Sequence, residues 1–246
     1  MIKWRIYRYI LRFDFRVDFR ISNWHGLIAN KIVELVESEK NFKSAFIDTK
    51  SDQILFSAGI DDEIFKIRIA NQSYTMEAEF KNGIDISEVS RTYGIKFLDI
   101  IQKILEDMDI FPKKFKKIGF RAWTIKKQEK SFEEILLTTS NKLDAKSVIN
   151  NDKLLLTDLA FVGEYNISEE VTVRIQTGPY NKTEIARYFC NIEPEVKNGY
   201  ISDIDITELK IHYEKYTFSK ILFSKCKELL PIVTKLWEMK NGIIKK

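Results

Sequence analysis

Asp203 and Asp205, with Ile204 between them, place two carboxylates on one face of a predicted strand, about two residue rises apart. A divalent cation bridges such pairs in nucleases and nucleotidyl-transfer sites, so Asp203 and Asp205 are the candidate metal ligands. The same spacing also suits an exposed strand face with Ile204 and Ile206 turned inward, and no Gly-Ser turn accompanies it. Glu79-Phe80-Lys81 and Glu195-Val196-Lys197 echo the acid-x-Lys half of a metal-dependent nuclease site, with Asp61 and Asp62 upstream of the first. Triplets of this kind also arise by chance in a chain this rich in acids and lysines.

A second chemistry is concentrated between residues 111 and 130. Lys113, Lys114, Lys116, Lys117, Arg121, Lys126, Lys127 and Lys130 face one acid, Glu129, and Phe115, Phe120 and Trp123 interleave with them. Basic groups neutralise phosphates and rings stack on bases, so Lys113, Lys114, Lys116, Lys117, Arg121, Trp123, Lys126 and Lys127 form the candidate nucleic-acid surface. The competing reading is a solvated connection whose aromatics belong to the core. Strand parity puts Ile118, Phe120, Ala122 and Thr124 on one face and Gly119, Arg121, Trp123 and Ile125 on the other. Trp123 therefore stands beside Arg121, on a ligand surface or in a second buried layer.

Other chemistries find no footing. His25, His212, Cys190 and Cys226 share no metal-type spacing, so no structural zinc is expected and the cysteines read as small core residues. No phosphate-binding glycine loop and no G-x-S-x-G elbow occurs. No catalytic residue and no cofactor is expected.

These residues need a scaffold, and its pattern is clear. Leu11, Phe13, Phe15, Val17, Phe19 and Ile21 alternate with charged residues, predicting a half-buried strand over 11–21. A helix follows, capped by Ser22 or Asn23, with Trp24, Leu27, Ile28, Ile32, Leu35 and Val36 inward. Residues 42–80 read as strands broken by turns at 59–62 and 71–73. Asp85 and Glu88 have capping-box spacing for a helix that runs until Pro112, in which Gly94 is a weak point. A basic strand over 118–127 leads to a helix capped by Ser131 and Glu134. Further strands are expected at 153–165, 170–177, 183–190 and 199–213. A last helix over 218–240 is kinked at Pro231. Consecutive strands without intervening helices predict an α+β fold of largely antiparallel sheet with three to four substantial helices. Two similar halves, 1–130 and 131–246, are one way to divide it, and one compact domain is the other.

Composition limits the function classes. The chain is 44% hydrophobic and 13% aromatic, enough to build a core without disulfides, and its net charge of +4 gives no strong pull towards nucleic acid. Free thiols, no leader peptide and no long apolar run point to a cytoplasmic protein that does not enter a membrane.

The helix ahead of Lys117-Ile118-Gly119-Phe120-Arg121-Ala122-Trp123-Thr124-Ile125, and Ser202-Asp203-Ile204-Asp205-Ile206 ahead of a terminal helix, resemble a sporadically distributed family of uncharacterised bacterial proteins. Its members carry an Ile-Gly-Leu-Arg-Tyr-like strand and a Leu-Asp-Ile-Asp-like strand in this order. Gly119 and Arg121 match, and Ala122, Trp123 and Thr124 replace the family's Tyr-Ile-Asn. The resemblance spans most of the chain and implies a bacterial multi-gene context, such as a defence or toxin–antitoxin locus. It brings no catalytic residue. The resulting expectation is a non-enzymatic accessory protein with a protein partner. The alternative is a nucleic-acid-binding protein or a metal-dependent nuclease.

Overall fold

A computed structural model describes residues 4–38, 42–50, 52–142, 157–191, 193–211 and 220. The strands are β1 (Arg5–Phe15), β2 (Ser44–Lys50), β3 (Gln53–Ile60), β4 (Glu63–Ala70), β5 (Ser73–Ile84), β6 (Phe115–Gln128), β7 (Phe161–Asn166), β8 (Val171–Asn181) and β9 (Asn198–Ile211). They form one antiparallel sheet in the order β2-β3-β4-β5-β1-β6-β9-β8-β7. The helices are α1 (Arg20–Ser38), α2 (Tyr93–Asp107), α3 (Phe132–Lys142) and the short α4 (Lys182–Ala186). The α+β class and the antiparallel sheet agree with the sequence reading. Three of these helices exceed two turns, and the expected helix over 218–240 lies outside the described residues apart from Lys220, as do residues 143–152 between the two suggested halves. The sheet runs through both sequence halves, because β6 pairs with β9 along nearly its whole length.

Alternation decides which face each side chain takes. Tyr9, Leu11 and Phe13 of β1, Phe65 and Ile67 of β4, Met76 of β5, Phe120 of β6 and Ile204 of β9 point to one side and are buried there. Ile28 and Ile32 of α1 and Phe97, Leu98 and Ile101 of α2 close over them. Phe56 and Phe97 stack at 4.5 Å between ring centres, fixing α2 against β3. Helix α3 covers the far end of this helix face, where Thr139 meets the Tyr200 hydroxyl at 2.8 Å.

Glu63 and Gly94 seat α2. The buried Glu63 carboxylate accepts the Tyr93 and Gly94 backbone N–H groups at 2.8 Å each, taking two donors that a helix start leaves open. A Cβ on Gly94 would lie 3.0 Å from Phe65 Cβ and still closer to the Met76 side chain. Gly94 is therefore the point of closest approach between helix and sheet, and not the weakness that its helix propensity suggests.

Other expectations change at element ends. β1 runs 5–15 and not 11–21; the chain bends after Phe15, so Val17 and Phe19 face solvent, Phe19 being 71% exposed. The Asp18 carboxylate accepts the Arg20 backbone N–H at 3.0 Å and starts α1 two residues before Ser22, which turns Trp24 and Leu27 outward. The capping box of Asp85 and Glu88 is present, but it opens a 3-10 turn over Ile86–Arg91, and α2 begins afresh at Tyr93. Tyr93 and Ile100 consequently stand in solvent. α2 ends at Asp107, before Pro112, and Asp109 takes the left-handed conformation at φ 52°. Residues 183–190 are no strand: Asn181 and Glu184 cap the short α4 there.

Candidate functional site

The side of the sheet opposite the helix face is polar and only partly covered. Its centre is Trp123 on β6. The guanidinium carbons of Arg8 and Arg121 lie over the Trp123 ring at 4.7 and 4.6 Å from its centre. Arg121 donates to Asp203 through Nε at 2.9 Å and Nη2 at 2.6 Å, a two-pronged pair between neighbouring strands. Arg8 meets Glu77 at 2.9 Å and Glu79 at 3.6 Å. One planar cation is thus held against β9 and another against β5, with an indole between them.

A strap crosses the upper part of this face. After α4 the chain continues from Arg187 towards Lys197, and Tyr188, Phe189 and Val196 cover Tyr7, Trp123, Ile125 and Ile201 in a second apolar cluster. A register shift in β1 between Ile6 and Arg8 accompanies the turning of Tyr7 towards this side, where its ring meets Phe189 edge-on at 6.4 Å. Polar contacts pin the strap. The fully buried Glu79 accepts the Cys190 and Asn191 backbone N–H groups at 3.0 and 2.8 Å, Lys66 donates to Asn191 Oδ1 at 2.6 Å, and Arg8 donates to the Tyr188 carbonyl. At its outer rim Lys81 pairs with Glu195 and Lys182 with Glu193.

Below the strap the face is open. Register carries one row across it: Lys66 opposite Glu77, Glu77 opposite Ile10, Ile10 opposite Arg121, Arg121 opposite Asp205, Asp205 opposite Arg174, and Arg174 opposite Glu164. The next row holds Thr75, Arg12, Gly119, Thr207 and Thr172. A Cβ on Gly119 would meet nothing within 4 Å, so no close backbone approach requires glycine there, and Gly119 leaves a gap beside Arg12 and Arg121. Asp205 is half-buried next to that gap. Burial pushes its carboxyl above the usual carboxylate range and Asp203 adds to this, while Arg121, Lys117 and Arg174 pull the other way.

The structure divides the basic stretch. Lys113, Lys114, Lys116, Lys117 and Lys127 are exposed, and Lys117 and Arg121 share the open face. Lys126 is buried. Trp123 is 4% exposed and lies in the second buried layer, because the strap covers it. Asp203 and Asp205 do stand on one face with Ile204 and Ile206 inward, but both Asp203 oxygens are taken by Arg121. Among the described residues no group of three or more His, Cys, Asp or Glu side chains could hold a metal ion. The acid-x-Lys triplets meet differently from the nuclease pattern: Lys81 pairs with Glu195, and Glu79 is buried against Arg8 and the strap. Cys190 is exposed on the strap and is not a core residue, while His212 and Cys226 lie outside the described residues.

No family model, no curated protein and no solved structure matches the chain. Among the described residues no helix is long and apolar enough to cross a membrane.

Sequence reasoning missed Arg8, Glu77 and Lys66, and it named Glu79 only as the acid of an acid-x-Lys triplet and not as the fastening of a strap. The signal for Arg8 was available, since Tyr9 and Leu11 extend the alternation of β1 backwards. Nothing local announces the strap, whose contacts join residues more than a hundred positions apart.

Proposed function

We propose that this protein is a non-enzymatic interaction module that docks a protein partner on the open part of its polar sheet face. The observation that carries this is the interleaving of charge on that surface. Arg121, Asp205, Arg174 and Glu164 follow one another across β6, β9, β8 and β7 with alternating sign. A surface for nucleic acid gains its affinity from uniformly basic groups, whereas interleaved signs select a complementary protein surface. Arg121 is suited to anchor such a partner. Its stacking on Trp123 and its fork to Asp203 fix its direction in advance, so little side-chain freedom is lost on binding. Only the resemblance of the β6 and β9 sequences to an uncharacterised bacterial family suggests that the module is an accessory in a bacterial multi-gene system.

The test is co-purification from the source cells with wild-type bait and with Lys117→Glu or Arg12→Glu bait. A partner retained by wild type and lost from both variants, whose circular dichroism is unchanged, supports the reading. Equal retention by all three baits overturns it.

One observation favours nucleic acid instead: Lys113, Lys114, Lys116 and Lys117 are exposed together at the start of β6. In that case affinity for single-stranded RNA or DNA falls steeply with salt, and reversing the four lysines flattens the slope.

A further inference from the structure

Among the described residues the two edges of the sheet are unlike: β2 ends one side and β7 the other. β2 is guarded by Lys43 before it and Lys50 at its end, the usual protection of an edge strand. β7 has no such guard. Phe161–Asn166 contains no Lys, Arg or Pro and a single charge, Glu164. Phe161, Val162, Tyr165 and the following Ile167 are between 45% and 60% exposed, on both faces of the strand. An unguarded edge with apolar side chains on both faces fits an added strand, which would satisfy its outward backbone groups and cover those side chains together.

We infer that β7 is an acceptor edge for an extended segment of a partner protein, one that carries Arg or Lys opposite Glu164 and apolar residues on either side of it. Register supplies the charge requirement. The row Arg121, Asp205, Arg174, Glu164 alternates in sign up to the edge, so the next rung completes it with a cation. The rung opposite Val162 and those opposite Phe161 and Tyr165 call for apolar side chains. A second copy of β7 cannot meet this pattern. The strand holds no basic residue, so in every antiparallel register Glu164 faces itself, an amide or an apolar group. The occupant is therefore a different sequence. This deepens the partner-docking reading, since β7 borders the open face.

The probe is a capped peptide reading Thr-Val-Arg-Ile-Val-Ile between solubilising Gly-Ser ends, compared with the same peptide carrying Glu in place of Arg. Expected results are slowed hydrogen exchange of β7 amides and tighter binding of the Arg peptide by roughly fivefold or more. Glu164→Lys should invert that preference. N-methylation of alternate peptide amides on the side facing β7 should abolish binding without altering the protein. Equal binding of the two peptides, or no change in β7 exchange at the peptide's solubility limit, overturns the inference. The two readings fail separately: a native partner lost with Lys117→Glu but kept with Glu164→Lys leaves the open face as the docking site and removes the edge.

Discussion

Arg121 and Asp203 form a fork across β6 and β9, with hydrogen bonds of 2.9 and 2.6 Å, in which Asp203 is nearly covered and Arg121 is almost half exposed. A pair with one wet partner is worth less than a buried one, so Arg121→Ala should cost about 1 kcal/mol by urea unfolding. Arg121→Lys should recover little of it, because an ammonium cannot span both carboxylate oxygens. The double variant with Asp203→Asn should be less destabilised than the sum of the single variants, and strict additivity would show that the pair contributes nothing.

Glu63 gives a pH signature. Burial raises its carboxyl above the ordinary 4.5, against the pull of the Tyr93 and Gly94 N–H groups and of Lys96. A carboxyl whose folded value is raised binds protons more tightly in the folded state. Its contribution is therefore present below pH 4.5 and is lost as pH rises through the higher folded value. Glu63→Gln, which keeps one acceptor and cannot ionise, should lose less stability than wild type as pH is raised from 4 to neutrality. Parallel stability curves would show that Glu63 does not titrate in that window. Gly94→Ala tests the same seat: Ala favours a helix by about 1 kcal/mol, yet here it should destabilise, because Phe65 and Met76 leave no room.

The local features of this fold were legible and the distant ones were not. Alternation and turns located β3, β4 and β5, and the capping pairs Asp85/Glu88 and Ser131/Glu134 both form, although the first opens a 3-10 turn and not the long helix expected there. The bend after Phe15 was hidden because the period-two pattern continues through Phe19, although the backbone does not. Parity placed Arg121 and Trp123 together, yet it could not decide between a ligand surface and a buried layer. That choice is made by the strap, held through Lys66 to Asn191 and Glu79 to Cys190, contacts with no local trace.

Glu79 should be the fastening point of the strap. It is fully buried and serves the Arg8 guanidinium and two strap N–H groups at once. Glu79→Ala leaves two strap amides without an acceptor and removes the farther of the two carboxylates beside Arg8, which keeps Glu77, a loss of about 2–3 kcal/mol. Hydrogen exchange should show where it acts. The amides of Cys190 and Asn191 should lose protection in the variant, while those of β4 facing β3 keep theirs. Uniform loss of protection would mean that Glu79 supports the whole sheet and not the strap.

Trp123 separates a stacking platform from a core. The ring is covered by the strap and flanked by Arg8 and Arg121, so it offers no face to a base. Trp123→Ala should then leave a cavity and cost about 3–5 kcal/mol, a fall in melting temperature of roughly 6–20 °C for a chain of this size. Trp123→Phe keeps a ring under the two guanidinium groups and should cost less, since a smaller ring still fills part of the space. If single-stranded nucleic acid binds at all, Trp123→Phe should leave its affinity unchanged and the exposed Lys113, Lys114, Lys116 and Lys117 should carry the salt dependence. Loss of binding in Trp123→Phe with an unchanged melting temperature would mean that the strap opens and the indole meets a base directly.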